Sequence, residues 1–278
     1  MTCRELIRRA AENFRAAGIP DPVNDAALLL SHLTGRPPLS LRLDDETVPD
    51  PSVIASFTSL AERRISRIPL QYLLGEAPFY GRMFRVDSRV LIPRPETELL
   101  CEWALDLMKD RPSPRILDLC CGSGCIGITL KAELPSASVT LSDISPDALS
   151  LAAENAALLC TDVTLCRSDL LDAFGGTCFD LIISNPPYIP SADCGTLQEE
   201  VLREPRLALD GGADGLAVYR RIVREAVPCL SPGGFLLMEL GIGEDEAVSS
   251  LLSGHGYQSV QVREDLSGIR RMILSSHP

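Results

Sequence analysis

From residue 115 to residue 276 the chain alternates short apolar runs with helix-length stretches. The runs are "RILDLC", "ASVTLSDI", "VTLCRSD", "FDLIISN", "GGFLLMEL", "YQSVQVRE" and "RRMILSS". Strands separated by helical segments predict an α/β fold, a doubly wound and mainly parallel seven-stranded sheet. The last two runs lie close together with no helix between them, so they are expected to form an antiparallel hairpin at one edge.

Before this region the pattern differs. Residues 3 to 17, 23 to 34 and 52 to 66 carry apolar residues at helical spacing, the first two ending near breakers in "AAGIP" and "LTGRPP". Between 70 and 92 short aromatic and branched runs alternate with Gly75, Gly81 and Asp87, which predicts a hairpin. After "PRPETE", the stretch "TELLCEWALDLMKD" reads as a helix. The expected organisation is a small helical domain at 1–68, a β-hairpin linker at 69–95 and the α/β domain at 96–278. No internal repeat or low-complexity segment is visible.

Composition narrows the function classes. At 278 residues and 45% hydrophobic the chain can bury a substantial core. A formal charge of -12 opposes attraction to a polyanion, so free nucleic acid is not an expected partner. Ten cysteines without a signal-peptide pattern suit a reducing cytoplasm better than a disulfide framework. Cys120, Cys121 and Cys125 cluster without paired CxxC knuckles or a nearby histidine, which reads as apolar packing, and no metal is expected. The N-terminal "CRELIRRAAENFRAAG" is Arg-rich, but Glu5 and Glu12 favour an ordinary helix over a transit peptide. No apolar run approaches the roughly 20 residues needed to span a bilayer.

Two places in the α/β region carry chemistry. In "ILDLCCGSGCIGITL" an apolar strand reaches Asp118, then a turn with Gly122 and Gly124, then a helix beginning near Cys125. Open α/β sheets bind ligands in the crevice beyond such strand ends, and glycine lets backbone approach them. As a dinucleotide fingerprint it is imperfect, because Cys120 stands at the first glycine position. Asp143, ending the next strand in "VTLSDIS", falls where an acid would take a ribose diol. Asp118 would repel a phosphate yet suit a cationic amino-acid tail, so a nucleoside with a cationic appendage, S-adenosylmethionine, fits better than a dinucleotide. Either aspartate alone also suits a helix cap.

The second place is "FDLIISNPPYIP". Asn185 and Pro186 both precede a proline and are pushed toward extended backbone, while Pro186 and Pro187 lack an N–H. The segment therefore shows acceptors. The Asn185 side-chain oxygen and the Pro186 carbonyl can each accept one hydrogen of a planar NH2 group, with Tyr188 packed against its plane. Such a clamp orients a weak amide nucleophile toward an electrophilic methyl without a histidine, and none of the three histidines sits in a motif.

With these motifs the chain resembles the S-adenosylmethionine-dependent release-factor glutamine methyltransferases of the PrmC/HemK type. "NPPY" also occurs in amino-directed DNA and RNA methyltransferases, so the resemblance rests further on "IPRPETE", "EPRLALDGGADGLAVYRRI", "LSPGGFLLMELG" and "DLSGIRRMIL". It implies a class I S-adenosylmethionine-dependent methyltransferase fold and methyl transfer to the Gly-Gly-Gln glutamine of class I peptide chain release factors. It also implies that Cys120, Cys121, Gly122, Ser123, Gly124 and Asp143 bind the cofactor, that Asp169 and Leu170 flank the adenine, and that Asn185, Pro186, Pro187 and Tyr188 hold the glutamine, with Asn185 also near the cofactor. The N-terminal helices and "RPETE", with Arg94 and Glu96, would help recognise the release factor, or Arg94 and Glu96 would pair with each other. Arg63, Arg64 and Arg67 are expected to form a solvated helix face rather than a partner surface. Cys120 stands where many members have glycine, and Glu244 where glutamine is common, at a position expected to touch no catalytic group. A monomer is expected. Two alternative readings are an adenine-N6 nucleic-acid methyltransferase, disfavoured by the acidic charge, and a non-catalytic S-adenosylmethionine-binding protein.

Overall fold

The computed structural model describes residues 1–44 and 46–277. They form two compact units, Met1–Glu76 with Gln198–Arg203, and Ala77–Leu197 with Glu204–Pro278. The packing seams therefore differ from the expected boundaries. Residues 198–203 fold with the helical unit, and the hairpin from Ala77 onward is part of the larger unit instead of a separate linker.

The helical unit contains α1 (Cys3–Ala16), α2 (Pro22–Thr34), α3 (Pro38–Leu43), α4 (Pro51–Ile65) and α5 (Leu70–Leu74). The first opens with a capping box: Thr2 Oγ1 accepts from the Glu5 N–H at 3.3 Å and Glu5 Oε2 accepts from the Thr2 N–H at 2.9 Å. Phe14, Leu29, Leu30, Leu41 and Phe57 are buried together in its core. The two shortest helices escaped the periodicity reading because five or six residues show barely one repeat of a helical face.

The arginine run corrects another expectation. Arg64 is buried, not solvated: its Nε donates to Asp25 at 2.9 Å and its Nη1 to Glu200 at 2.9 Å. Arg67 pairs with the other oxygen of Glu200 at 2.6 Å. Burial pushes the Asp25 carboxyl up, and the Arg64 guanidinium opposes that rise. Only Arg63 of the three is exposed.

The larger unit begins at Ala77, the second residue of the hairpin strand β1 (Glu76–Phe79), followed by β2 (Arg82–Arg85) and α6 (Pro95–Met108). Then come β3 (Arg115–Leu119), α7 (Cys125–Glu133), β4 (Ser138–Asp143), α8 (Pro146–Leu158), β5 (Thr164–Arg167) and β6 (Phe179–Ser184). The chain ends with α9 (Ala217–Ala226), β7 (Leu230–Glu239), α10 (Asp245–Gly254), β8 (Gln258–Glu264) and β9 (Arg270–Ser276). The sheet order is β5-β4-β3-β6-β7-β9-β8. All pairs from β5 to β7 are parallel, while β9 runs antiparallel to both β7 and β8. As the sequence indicates, the last two strands form an edge hairpin.

Alternation along the central strands supplies a core to each face. Ile116, Leu141, Leu181 and Ile183 pack with residues of α6 and α7 such as Leu100 and Ile126, while Leu117, Leu119, Ile182 and Met238 pack with Tyr219, Ile222 and Val248 of α9 and α10. The strand order reverses between β3 and β6, which opens the crevice beyond their carboxyl ends. The hairpin is tied in by Asn155 of α8, whose Oδ1 accepts from the Arg85 N–H at 2.7 Å and whose Nδ2 donates to the Arg85 and Ser123 carbonyls at 3.1 and 2.9 Å.

Arg64→Ala leaves Asp25 and part of Glu200 buried without a countercharge, and should cost about 3–5 kcal/mol of stability. Urea denaturation followed by far-ultraviolet circular dichroism measures this, and a loss below about 1 kcal/mol would return the pair to the class of surface bridges.

Candidate active site

Three strand ends build the site. Leu119 pairs with Ser142 on one side and with Ser184 on the other, so the residues that follow each strand emerge side by side. The Cys120–Gly124 loop, Asp143 and Asn185 thus meet around one cavity of about 330 Å³. Ser184 reinforces the register, its Oγ donating to the Leu119 carbonyl at 2.7 Å.

The loop extends the β3–β4 ladder by one bond, from the Cys121 N–H to the Ser142 carbonyl at 3.0 Å. Asp143 then holds two backbones at once: Oδ2 accepts from the Gly122 N–H at 3.0 Å and Oδ1 from the Ser145 N–H at 2.9 Å. Burial pushes this carboxyl up and these N–H groups pull it back. Each oxygen keeps acceptor capacity for a further donor. Cys120 adopts φ +60°, a conformation that suits glycine, so the chain keeps the glycine backbone with a cysteine in it. The loop ends at Gly124, φ +78°, where a Cβ would lie 2.9 Å from Ile128 Cδ1.

Asp118 is the main displacement from expectation. Strand alternation turns its side chain onto the face covered by α7, where it is fully buried, off the cavity wall, and accepts from the Gly127 N–H at 2.8 Å through Oδ2. Burial raises it to about 7, the Gly127 N–H opposes that rise, and Asp143 adds to it. In the structure its hydrogen bond goes to the start of α7, away from the wall that carries Asp143 and the loop.

The opposite wall comes from residues 89–94 and 205–210. Buried Glu204 pins the first of these stretches, accepting from the Ile92 N–H at 3.0 Å and from Arg94 Nη2 at 2.6 Å. Arg94 lies on the wall but pairs with Glu204, whereas Glu96 is exposed and off the wall, and the alternative Arg94–Glu96 bridge is not present among the described residues. Asp169 and Leu170 line the same cavity, with Asp169 Oδ1 bonded to Arg221 Nη1 at 2.8 Å. Ile144 and Ser145, which the sequence reading did not single out, stand beside Asp143 on the wall.

Of the NPPY segment, Asn185 and Pro187 line the cavity, and the Pro186 residue is buried. Tyr188 is half-buried and off the wall, against the core of α9 and α10. The chain beyond it pairs with the "LALDGG" stretch, Ile189 N–H to the Leu209 carbonyl and Gly211 N–H to the Ile189 carbonyl, both at 2.8 Å. That approach requires Gly211, since a Cβ there would sit 2.7 Å from Tyr188 Cα. Glu244 is not remote from this segment. A Cβ at Gly241 would lie 2.5 Å from Glu244 Oε2 and 3.1 Å from Tyr188 Cδ2, so the carboxylate and the ring crowd one glycine. Burial raises Glu244 to about 7.

The family model for the PrmC N-terminal domain matches residues 5–75, and that for the methyltransferase small domain matches residues 97–213. A release factor glutamine methyltransferase of Deinococcus radiodurans is 44% identical over 275 residues, covering 98% of each chain. The chain belongs to the release factor glutamine methyltransferase family. A second member, from Geobacter sulfurreducens, is 42% identical over 276 residues, covering 98% of this chain and 95% of its own. A methyltransferase from Pyrococcus furiosus, 17% identical, superposes with a TM-score of 0.53 over 77% of this chain and 98% of its own, a likeness of fold.

All ten cysteines are free. Burial raises the Cys101 and Cys121 thiols and pushes Cys125 up to about 12, so none of these is a nucleophile near neutral pH. Alkylation with iodoacetamide at pH 8 should therefore label exposed Cys160 and Cys178 first and spare Cys101, Cys121 and Cys125 in the folded protein. Peptide mapping by mass spectrometry checks this, and early labelling of Cys121 would contradict the packing of the loop.

Proposed function

We propose that this protein transfers a methyl group from S-adenosylmethionine to the side-chain amide nitrogen (N5) of the glutamine in the Gly-Gly-Gln motif of class I peptide chain release factors. The observation that carries the reading is Asn185 on the wall of the same cavity as Asp143 and the Cys120–Gly124 loop. A methyl donor and a planar amide can therefore be held next to each other.

The donor set fits the cofactor. Asp143 has spare acceptor capacity for ribose hydroxyls, Ile144 and Leu170 offer apolar wall for adenine, and the loop Cys120–Ser123 offers close backbone for the amino-acid end. Bound there, S-adenosylmethionine supplies an electrophilic methyl on a cationic sulfonium.

The chain's own contribution is orientation. Asn185 Oδ1 and the Pro186 carbonyl accept the two amide hydrogens of the glutamine, which fixes the plane of the amide and favours the geometry in which its nitrogen lone pair is free to react. Pro186 and Pro187 keep this segment extended and stiff. Tyr188 supports it from behind, against Gly241 and Gly211, rather than from the cavity. Free thiols throughout suit a reducing, cytoplasmic setting.

Incubation with a class I release factor and S-adenosylmethionine, followed by mass spectrometry of the Gly-Gly-Gln peptide, should show one added methyl on that glutamine. Methylation of DNA or RNA with none on the release factor would overturn the substrate. Asn185→Ala should leave cofactor affinity unchanged while costing about 3 kcal/mol of transition-state stabilisation. Asp143→Ala should instead weaken cofactor binding in calorimetry, and an unchanged dissociation constant would remove Asp143 from the ribose site.

A further inference from the structure

Asn185 is useful as an acceptor only if its oxygen, not its NH2 group, faces the substrate. The two ends of a side-chain amide have nearly the same shape, so sterics alone choose weakly between them. The choice has to come from hydrogen bonds behind the amide.

Such bonds are present. Ser184 pairs with Met238 in the parallel β6–β7 ladder, so Asn185 and Glu239 leave neighbouring strands at the same level. Thr97, in the first turn of α6, stands between them with 2% of its surface exposed, and Glu239 has 3%. Thr97 Oγ1 donates its single proton to Glu239 Oε2 at 2.6 Å and accepts from Asn185 Nδ2 at 3.2 Å. A hydroxyl whose proton is given to a carboxylate can only accept from its other neighbour. The NH2 end of Asn185 is therefore drawn to Thr97, and Oδ1 is left for the cavity that Asn185 lines.

We infer that Thr97 and Glu239 are positioning residues that fix which end of the Asn185 amide faces the substrate. The inference rests on the role given to Asn185 above. A glutamic acid buried at the end of a core strand is costly unless its partners are good, and burial here holds its carboxyl up near 7. Orienting Asn185 through Thr97 gives that residue a purpose that packing does not, since an apolar side chain would fill the same space.

Three variants test this on the full-length protein at pH 8.5, above the raised Glu239 carboxyl so that it accepts the Thr97 proton, with release factor as substrate and turnover and cofactor affinity both measured. Thr97→Val keeps the shape and removes the hydroxyl; it should lower kcat on the order of 100-fold and leave cofactor affinity unchanged. Thr97→Ser keeps the hydroxyl and removes a methyl, and should restore turnover. Glu239→Leu takes away the acceptor of the Thr97 proton, releases that proton toward Asn185, and should lower kcat as Thr97→Val does. A purely structural Thr97 gives the reverse order, with valine active and serine impaired, and that result would overturn the inference. If Thr97→Val fails to fold, as its thermal melt reports, Glu239→Leu decides: wild-type turnover in that variant would overturn the inference equally. Absence of glutamine methylation by the wild-type protein would instead defeat the proposed function itself, a separate outcome.

Discussion

Parallel pairing of β3 with both β4 and β6 is the constraint on which the site depends. With Leu119 level with Ser142 and Ser184, three separate stretches of sequence end at one height, and the groups beyond them share a cavity. A slip of one residue in either ladder would turn Asp143 or Asn185 to the wrong face. The bonds that guard the register are few: Ser184 Oγ to the Leu119 carbonyl, the Cys121 N–H to the Ser142 carbonyl, and the Gly122 N–H to Asp143. The same constraint extends to β7, whose pairing with β6 sets Glu239 beside Asn185.

This arrangement places acids where burial penalises their ionisation. Asp118, Glu239 and Glu244 are all raised to about 7 by it, and each accepts at least one hydrogen bond, from Gly127, Thr97 and Gly241 respectively. Asp118 Oδ1 has no partner among the described residues. Acids of this kind oppose folding as they ionise, and an apolar residue would pack more easily. Their positions suggest what they do instead: Asp118 holds the start of α7, Glu239 orients Asn185 through Thr97, and Glu244 supports the glycine turn beside Tyr188.

Much of this was legible in the residues. The alternation of runs from 115 to 276 gave the sheet, because a strand period and a helix period are distinguishable in chains of this hydrophobicity. Asp143, Asn185 and Pro187 were legible because acids at strand ends and prolines after an asparagine restrict backbone and chemistry together. Asp118 was misplaced for a reason spacing cannot show: alternation aims it at α7, one residue before the chain leaves the sheet. Arg64 looked like part of a solvated run until Asp25 and Glu200, distant in sequence, were seen to surround it. Glu244 looked remote because its proximity to Tyr188 depends on two glycine turns closing together. Thr97 lay inside the quoted "PETE" and Glu239 inside "LLMELG", and the available signal was a charged residue ending an otherwise apolar strand run.

The central claim is that Asn185 presents its oxygen to a glutamine amide held beside the cofactor pocket. A crystal structure with S-adenosylhomocysteine and a Gly-Gly-Gln peptide tests it most directly. The account predicts the glutamine nitrogen at about 3 Å from both Asn185 Oδ1 and the Pro186 carbonyl, with Asn185 Nδ2 still bonded to Thr97. A glutamine bound elsewhere, or an Asn185 amide turned so that its NH2 group faces the peptide, would contradict it.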